Sequence, residues 1–264
     1  MPMSHPPFDA YTPAEIAAKI ETVGVAKAKM PTLPMLALGI LAGAFIAFGA
    51  MFYTMAVTGS ELGLGPTRVL GGLVFSLGLV LVVIAGAELF TGNNLIVMAW
   101  AERKITTGLL LRNWALTYMA NGVGAVGMAG LVVASGTLLM GEGAVLQTAI
   151  TIAEGKVRLG FAEAFVRGLL CNMLVCLAVW LSYASHRISG KILAIVFPIT
   201  AFVALGFEHS IANLYFLPLG ALTGAEGVTG ATILANLLPV TLGNIVGGAV
   251  FVALFYWVIY LRKN

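Results

Sequence analysis

Six apolar stretches divide the chain, at about 34–57, 68–100, 108–138, 161–184, 192–217 and 231–260. Each holds about 20 residues or more, and a helix rising ~1.5 Å per residue crosses ~30 Å of hydrocarbon in that length. The second and fifth stretches are interrupted by polar residues, Gly86-Ala87-Glu88-Leu89-Phe90-Thr91-Gly92-Asn93 and Gly206-Phe207-Glu208-His209-Ser210-Ile211-Ala212-Asn213. These align as Gly-x-Glu-x-x-x-x-Asn, with Glu88 and Glu208, and Asn93 and Asn213, 120 residues apart. A carboxylate inside a bilayer costs roughly 2.5–3.5 kcal/mol on insertion scales, so two at equivalent places are not accidents. Paired interruptions in two halves of a membrane chain point to a solute pathway.

A second match, Asn121-x-x-Gly124 with Asn244-x-x-Gly247 at an offset of 123, extends the internal similarity to another pair of helices. Three helices per half invert the second copy, because an odd number of crossings reverses its direction. The expected fold is therefore an all-α integral membrane protein: six transmembrane helices in two inverted three-helix repeats, the second and fifth helices broken. The 32 glycines fall largely inside the apolar stretches, where they let helix backbones approach. The domain reading is an N-terminal cytoplasmic segment over 1–33, a pore domain over 34–260 and a short C-terminus over 261–264. Within the first, residues 13–29 predict an amphipathic helix with Ile16, Ile20 and Val23 on one side, Thr12 as cap, Pro13 at its first position and Glu15 near its positive end. It is expected to lie at the cytoplasmic surface, against the bundle or a neighbouring subunit.

Composition excludes a soluble globule: 60% of residues are hydrophobic, 9% charged, and the mean hydropathy is +1.00. With the N-terminus inside, that side holds Lys19, Lys27, Lys29, Arg103, Lys104, Arg112, Arg187, Lys191, Arg262 and Lys263, and the other holds Arg68, Lys156, Arg158 and Arg167. Ten cations against four predict both termini in the cytoplasm of a multi-pass protein of the inner membrane. No dense basic run with interleaved aromatics suggests nucleic acid. The first 33 residues lack the apolar core of a cleavable signal peptide, so the first helix is expected to direct insertion. Cys171 and Cys176, five apart on one helix, face different directions and read as buried packing rather than a disulfide or zinc site.

Few residues are left to carry chemistry. His209 is the one histidine in the apolar stretches, with His5 in the tail and His186 in a loop. Position 213, one turn on, is Asn, so a His-Glu-x-x-His metal site is absent, and no cofactor or metal is expected. Glu88 and Glu208 either support the unwound loops, whose N–H groups need acceptors in the absence of water, or relay protons; Asn93 and Asn213 share those loops. Thr91 either bonds backbone locally or faces His209 across a pore. Lys156 is placed in a loop before the fourth helix, either as a solvated lysine or as a cation that concentrates monovalent anions at a pore mouth. Asn172 is either interhelical glue or a pore-lining donor.

The segments Ala87–Asn93, Leu170-Cys171-Asn172-Met173-Leu174-Val175-Cys176 and Gly206–Asn213 closely resemble the signature segments of the formate/nitrite transporter family. Pro13-Ala14-Glu15 and Val23-Gly24-Val25-Ala26-Lys27 resemble its N-terminal helix, and the match covers essentially the whole chain. The resemblance implies an aquaporin-like protomer, a homopentamer with one pore per protomer, His209 at the pore centre with Thr91 approaching it, Asn172 nearby and Lys156 in the outer vestibule. It also implies apolar constrictions involving Phe75, Leu79, Leu89, Phe90, Val175 and Phe202.

The function so implied is a channel or proton-coupled transporter (proton symport) of small monovalent anions, formate first, nitrite second and hydrosulfide third. A bare anion pays a large desolvation cost in apolar slits, whereas a weak acid that gains a proton crosses as a neutral molecule. An aquaporin-type pore for neutral solutes would resemble paired Asn-Pro-Ala loops, which the chain lacks. An intramembrane enzyme is supported by neither a metal cluster nor a Gly-x-Ser-x-Gly motif.

Overall fold

The structure, a computed structural model, describes residues 10–262. His5, Lys263 and the outermost parts of the 1–33 and 261–264 segments lie outside the described residues. Helix α1 (Pro13–Ala28) starts where the sequence places it: Thr12 Oγ1 accepts from the Glu15 N–H while the Glu15 carboxylate accepts from the Thr12 N–H at 2.8 Å, with Pro13 at the first position. Ile16 and Ile20 are buried and Val23 half-buried, as the pattern predicts, but Glu21 is buried too and pairs with Lys104.

Helix α2 (Thr32–Val57) precedes α3 (Leu64–Phe75) and α4 (Leu77–Ala85), which Ser76 joins. Gly86, at φ +82°, then stops the helix, and the Ala87 N–H turns back to the Val82 carbonyl at 2.8 Å. The chain is not helical again until a tight turn at Gly92–Ile96 and the short α5 (Val97–Ala101). Helices α6 (Thr107–Ala134), α7 (Ala144–Val157) and α8 (Phe161–Ala184) follow. The expected stretch 161–184 is α8 to the residue.

The second break repeats the first. Helix α9 (Ile188–Ala204) ends before Gly206 at φ +73°, the Phe207 N–H returns to the Phe202 carbonyl at 3.0 Å, and α10 (Ser210–Leu222) restarts with His209 as its cap. Last come α11 (Gly230–Ile245), a π-helical stretch over Val246–Leu254, and α12 (Phe255–Tyr260). Among the described residues, five helices are long and apolar enough to cross a membrane: Thr32–Val57, Leu64–Ala85, Thr107–Ala134, Phe161–Ala184 and Gly230–Tyr260. The expected 192–217 stretch is instead the shorter pair α9 and α10, running over 188–222.

Helix α7 is absent from the sequence reading, which places Lys156 in a loop; the lysine lies in the last turn of α7. Its presence lengthens the repeat, since α1 and α7 hold corresponding places before α2 and α8. Corresponding glycines draw the long helices together. A β-carbon on Gly124 would run into the Ile40 carbonyl, and one on Gly247 into the Leu169 carbonyl, so α6 meets α2 and the π-helical stretch meets α8 backbone to backbone.

Candidate functional site

Each break is held by an amide network, and the two networks are the same network twice. At the first, Asn121 donates to the carbonyls of Gly39 (2.8 Å) and Glu88 (2.9 Å) and accepts from the Phe90 N–H (2.9 Å). At the second, Asn244 donates to the carbonyls of Gly168 (2.7 Å) and Glu208 (3.0 Å) and accepts from the Ser210 N–H (2.9 Å). Unwound backbone in a bilayer survives only where such partners replace water.

The carboxylates complete each network. Glu88 accepts from Lys27 Nζ at 2.6 Å and from Asn93 at 2.8 Å, and Asn93 also donates to Asn113 at 3.0 Å. Glu208 accepts from Lys156 Nζ at 3.0 and 3.1 Å and from Asn213 at 2.6 Å, and Asn213 donates to Asn236 at 2.8 Å. Both carboxylates are buried, with their lysines only partly exposed. Lys156 is therefore not a free solvated lysine.

The breaks meet at Thr91 and His209, whose Oγ1 and Nε2 lie 2.9 Å apart with both residues buried. His209 Nδ1 accepts from the Ala212 N–H at 3.1 Å, the cap bond of α10. Nδ1 carries no proton while that bond stands, so in the neutral ring the hydrogen sits on Nε2 and is donated to Thr91. The Thr91 hydroxyl keeps its own hydrogen to donate elsewhere. Asn172 donates to the carbonyls of Thr91 (3.2 Å) and Asn244 (2.7 Å), and the Cys176 thiol donates to the Thr91 carbonyl at 3.4 Å. The Asn172 amide N–H groups are thus spent joining the first break to α11, whose Asn244 side chain holds the second. Both cysteines are buried and free.

Two cavities approach this centre. The first, about 350 Å³, is lined by Lys27, Glu88, Leu79, Leu89 and Tyr183 among others. The second, about 300 Å³, is lined by Lys156, Glu208, Phe75, Phe202 and His209 among others. Phe75 meets Phe202 edge-on at 5.6 Å between ring centres, and Phe202 stacks on His209 at 5.9 Å. Phe90 and Val175 are buried but line neither cavity; the Phe90 ring packs edge-on against Tyr118 and Trp114.

A profile of the formate/nitrite transporter family matches residues 14–258. The chain belongs to that family. It is 41% identical to the formate channel FocA of Escherichia coli strain K12 over 277 residues, 98% of this chain and 97% of that one. It is 44% identical to a probable formate transporter of Methanothermobacter thermautotrophicus, over 96% of this chain and 98% of the other. Among solved structures it is similar to a pentameric formate channel with formate bound, at a TM-score of 0.81 and 39% identity over 88% of this chain and 98% of that one. A second, an FNT family ion channel, superposes at a TM-score of 0.86 with 30% identity, over 93% and 98%. The expected family and fold class stand: an all-helical membrane channel of the formate/nitrite transporter family.

Of the residues the sequence reading singles out, Thr91 meets His209 and Asn172 reaches the Thr91 carbonyl, while Glu88 with Asn93 closes one break and Glu208 with Asn213 and Lys156 the other. That reading misses Lys27, Asn113 and Asn236. Lys27 lies 129 residues before Lys156, as Gly39 lies 129 before Gly168, and Asn113 lies 123 before Asn236, the Asn121 to Asn244 offset. Following the internal repeat through every polar residue would find all three.

Proposed function

We propose that the chain is a formate-conducting pore of the inner membrane, working as a homopentamer, with six crossings per protomer and both termini in the cytoplasm. Segment 1–33 is then cytoplasmic, 34–260 the pore and 261–264 a cytoplasmic end, so the Lys27 cavity opens inward and the Lys156 cavity outward. The observation that carries this reading is the Thr91–His209 hydrogen bond, which joins two broken helices between two cavities that each end in a lysine–glutamate pair. The Thr91 hydroxyl, accepting from His209, has a hydrogen to offer a carboxylate passing between the two cavities. Leu79 and Leu89 on one side, and Phe75 and Phe202 on the other, form apolar slits that oppose a hydrated ion, with Phe90 and Val175 packing behind them. A small weak acid crosses such slits with least cost when its charge is neutralised at the centre. Glu88, Glu208, Asn93, Asn213 and Asn172 hold the loops in place, and transport proceeds without chemical conversion of the solute.

Purified protein in liposomes, challenged with formate, nitrite, hydrosulfide, lactate and glycerol at several pH values, tests the proposal. Formate is expected to move fastest. Faster passage of nitrite or hydrosulfide would reassign the anion, and passage of glycerol alone would overturn the anion reading.

A further inference from the structure

Lys156 is matched by both oxygens of Glu208, yet two more cations line the same cavity. Arg68 stands near the start of α3 and has no carboxylate within ion-pair distance among the described residues. Arg167, on α8, pairs with Glu163 one turn earlier at 2.5 Å and donates from Nη1 to the Gly206 carbonyl at 3.2 Å. Both members of that ion pair are substantially exposed, so water screens it.

The two guanidiniums converge on one turn. A β-carbon on Gly206 would lie 3.2 Å from Arg68 Nη1 and 3.7 Å from Arg167 Nη1. Like charges held so near each other gain nothing from the fold and are most at ease with an anion between them. A cavity with low-dielectric walls focuses the field of such a cluster on its mouth.

The first cavity has no such cluster: its charged lining residues are Lys27 and Glu88, which pair. The repeat explains why the arginines are not needed to build the break. The Glu208 N–H donates to the Arg167 carbonyl, and the Glu88 N–H donates to the Leu38 carbonyl, each at 3.2 Å. Leu38 does that backbone work with an apolar side chain. The residue 120 after Arg68, in the equivalent place, is Ile188. The guanidiniums are additions to one half of a duplicated framework.

We infer that Arg68 and Arg167 form an anion-capture site at the outer mouth, fitted to a small planar carboxylate or similar oxyanion. Guanidinium forks match carboxylate geometry, which a lysine point charge does not. The inference rests on the formate-pore reading for its substrate and orientation. A passive pore cannot shift equilibrium by this asymmetry; the site lowers the half-saturating concentration on the outer face alone.

The test compares wild type, Arg68→Gln, Arg167→Gln and the double variant in right-side-out and inside-out vesicles from the same cells, at low and high salt. The double variant is expected to raise half-saturating formate roughly threefold or more from the outer face, with maximal flux from that face kept and the inner-face half-saturating value unchanged. Because a passive pore has one permeability in both directions, maximal flux from the inner face should fall by the same factor, and the effect should shrink as salt rises. Equal values for wild type and variants on the outer face, or equal shifts on both faces, would overturn the site. Line broadening of ¹³C-formate by detergent-solubilised protein separates the two proposals. Broadening that the double variant abolishes supports the site even if wild-type vesicles pass no formate, a result that would defeat the pore reading instead. Arg68→Gln alone, which breaks no hydrogen bond or ion pair among the described residues, covers the case of a double variant that does not assemble.

Discussion

Lys27 and Lys156 do the same work in the two halves of the chain. Each lies in the last turn of an amphipathic helix, each Nζ binds the buried glutamate of a broken helix, at 2.6 and 3.0 Å, and each backbone carbonyl accepts from an asparagine, Asn113 at 3.1 Å and Asn236 at 2.9 Å. A peripheral helix is thereby tied to the chain break it covers by both side chain and backbone. Losing those ties would leave the buried glutamates without their cations, which links the stability of the pore loops to the two short helices α1 and α7.

Removing one partner of such a pair should cost more than removing both. Lys156→Met leaves the Glu208 carboxylate buried without its cation, a loss of about 1–3 kcal/mol once the partial exposure of the lysine is allowed for. Lys156→Met combined with Glu208→Gln keeps an oxygen for Asn213 and leaves no buried charge, so it should recover part of that loss. Denaturant unfolding of the detergent-solubilised oligomer measures the cycle. Strictly additive losses would show that the two residues do not interact, and Lys27 with Glu88 should behave likewise.

Asn121 and Asn244 are the hinges on which both breaks depend. Each satisfies two carbonyls and one N–H that no water can reach. Asn121→Ala or Asn244→Ala should therefore destabilise the protomer by about 2–4 kcal/mol and lower the yield of assembled protein. Aspartate at either place should be worse than alanine, because a carboxylate turns two donated bonds into repulsion from carbonyl oxygens. Size-exclusion profiles before and after heating decide this, and an alanine variant as heat-resistant as wild type would show that the breaks need no such support.

Much of this arrangement is legible in the sequence because bilayers leave a coarse signature. Apolar length delimits α8 to the residue, and the polar runs at Gly86 and Gly206 mark both breaks, since left-handed backbone and buried carboxylates have no other reason to interrupt a span. Thr91 facing His209 follows from two breaks meeting at a pseudo-twofold axis. Helix α7 escapes notice because residues 144–157 are too short and too mixed for an apolar-run criterion. Lys27 escapes for another reason: its partner Glu88 is 61 residues away, and no local periodicity connects a surface helix to a buried loop. Asn172 is ambiguous in sequence because glue and pore lining demand the same residue; only the positions of the Thr91 and Asn244 carbonyls distinguish them.

The geometry at His209 yields the last prediction. Its Nδ1 is committed to the Ala212 N–H, so a second proton on the ring would have to break the cap of α10 and face a donor across it. The ring is therefore expected to work as a fixed Nε2–H donor to Thr91 and not as a group that charges and discharges during transport. Asparagine is itself a good N-cap and carries both a donor and an acceptor, so His209→Asn should assemble normally, whereas His209→Ala should lose about 0.5–2 kcal/mol with the cap. Formate flux through His209→Asn should fall, because its shorter amide cannot orient the Thr91 hydroxyl as the ring does. The fall should be by the same factor at every pH between about 5 and 8, the range over which an ordinary histidine changes charge. Flux ratios of variant to wild type, measured in liposomes across that range, check this. A ratio that changes steadily with pH would mean that His209 gives up its cap to take a proton, and would make it the titrating group of the pore.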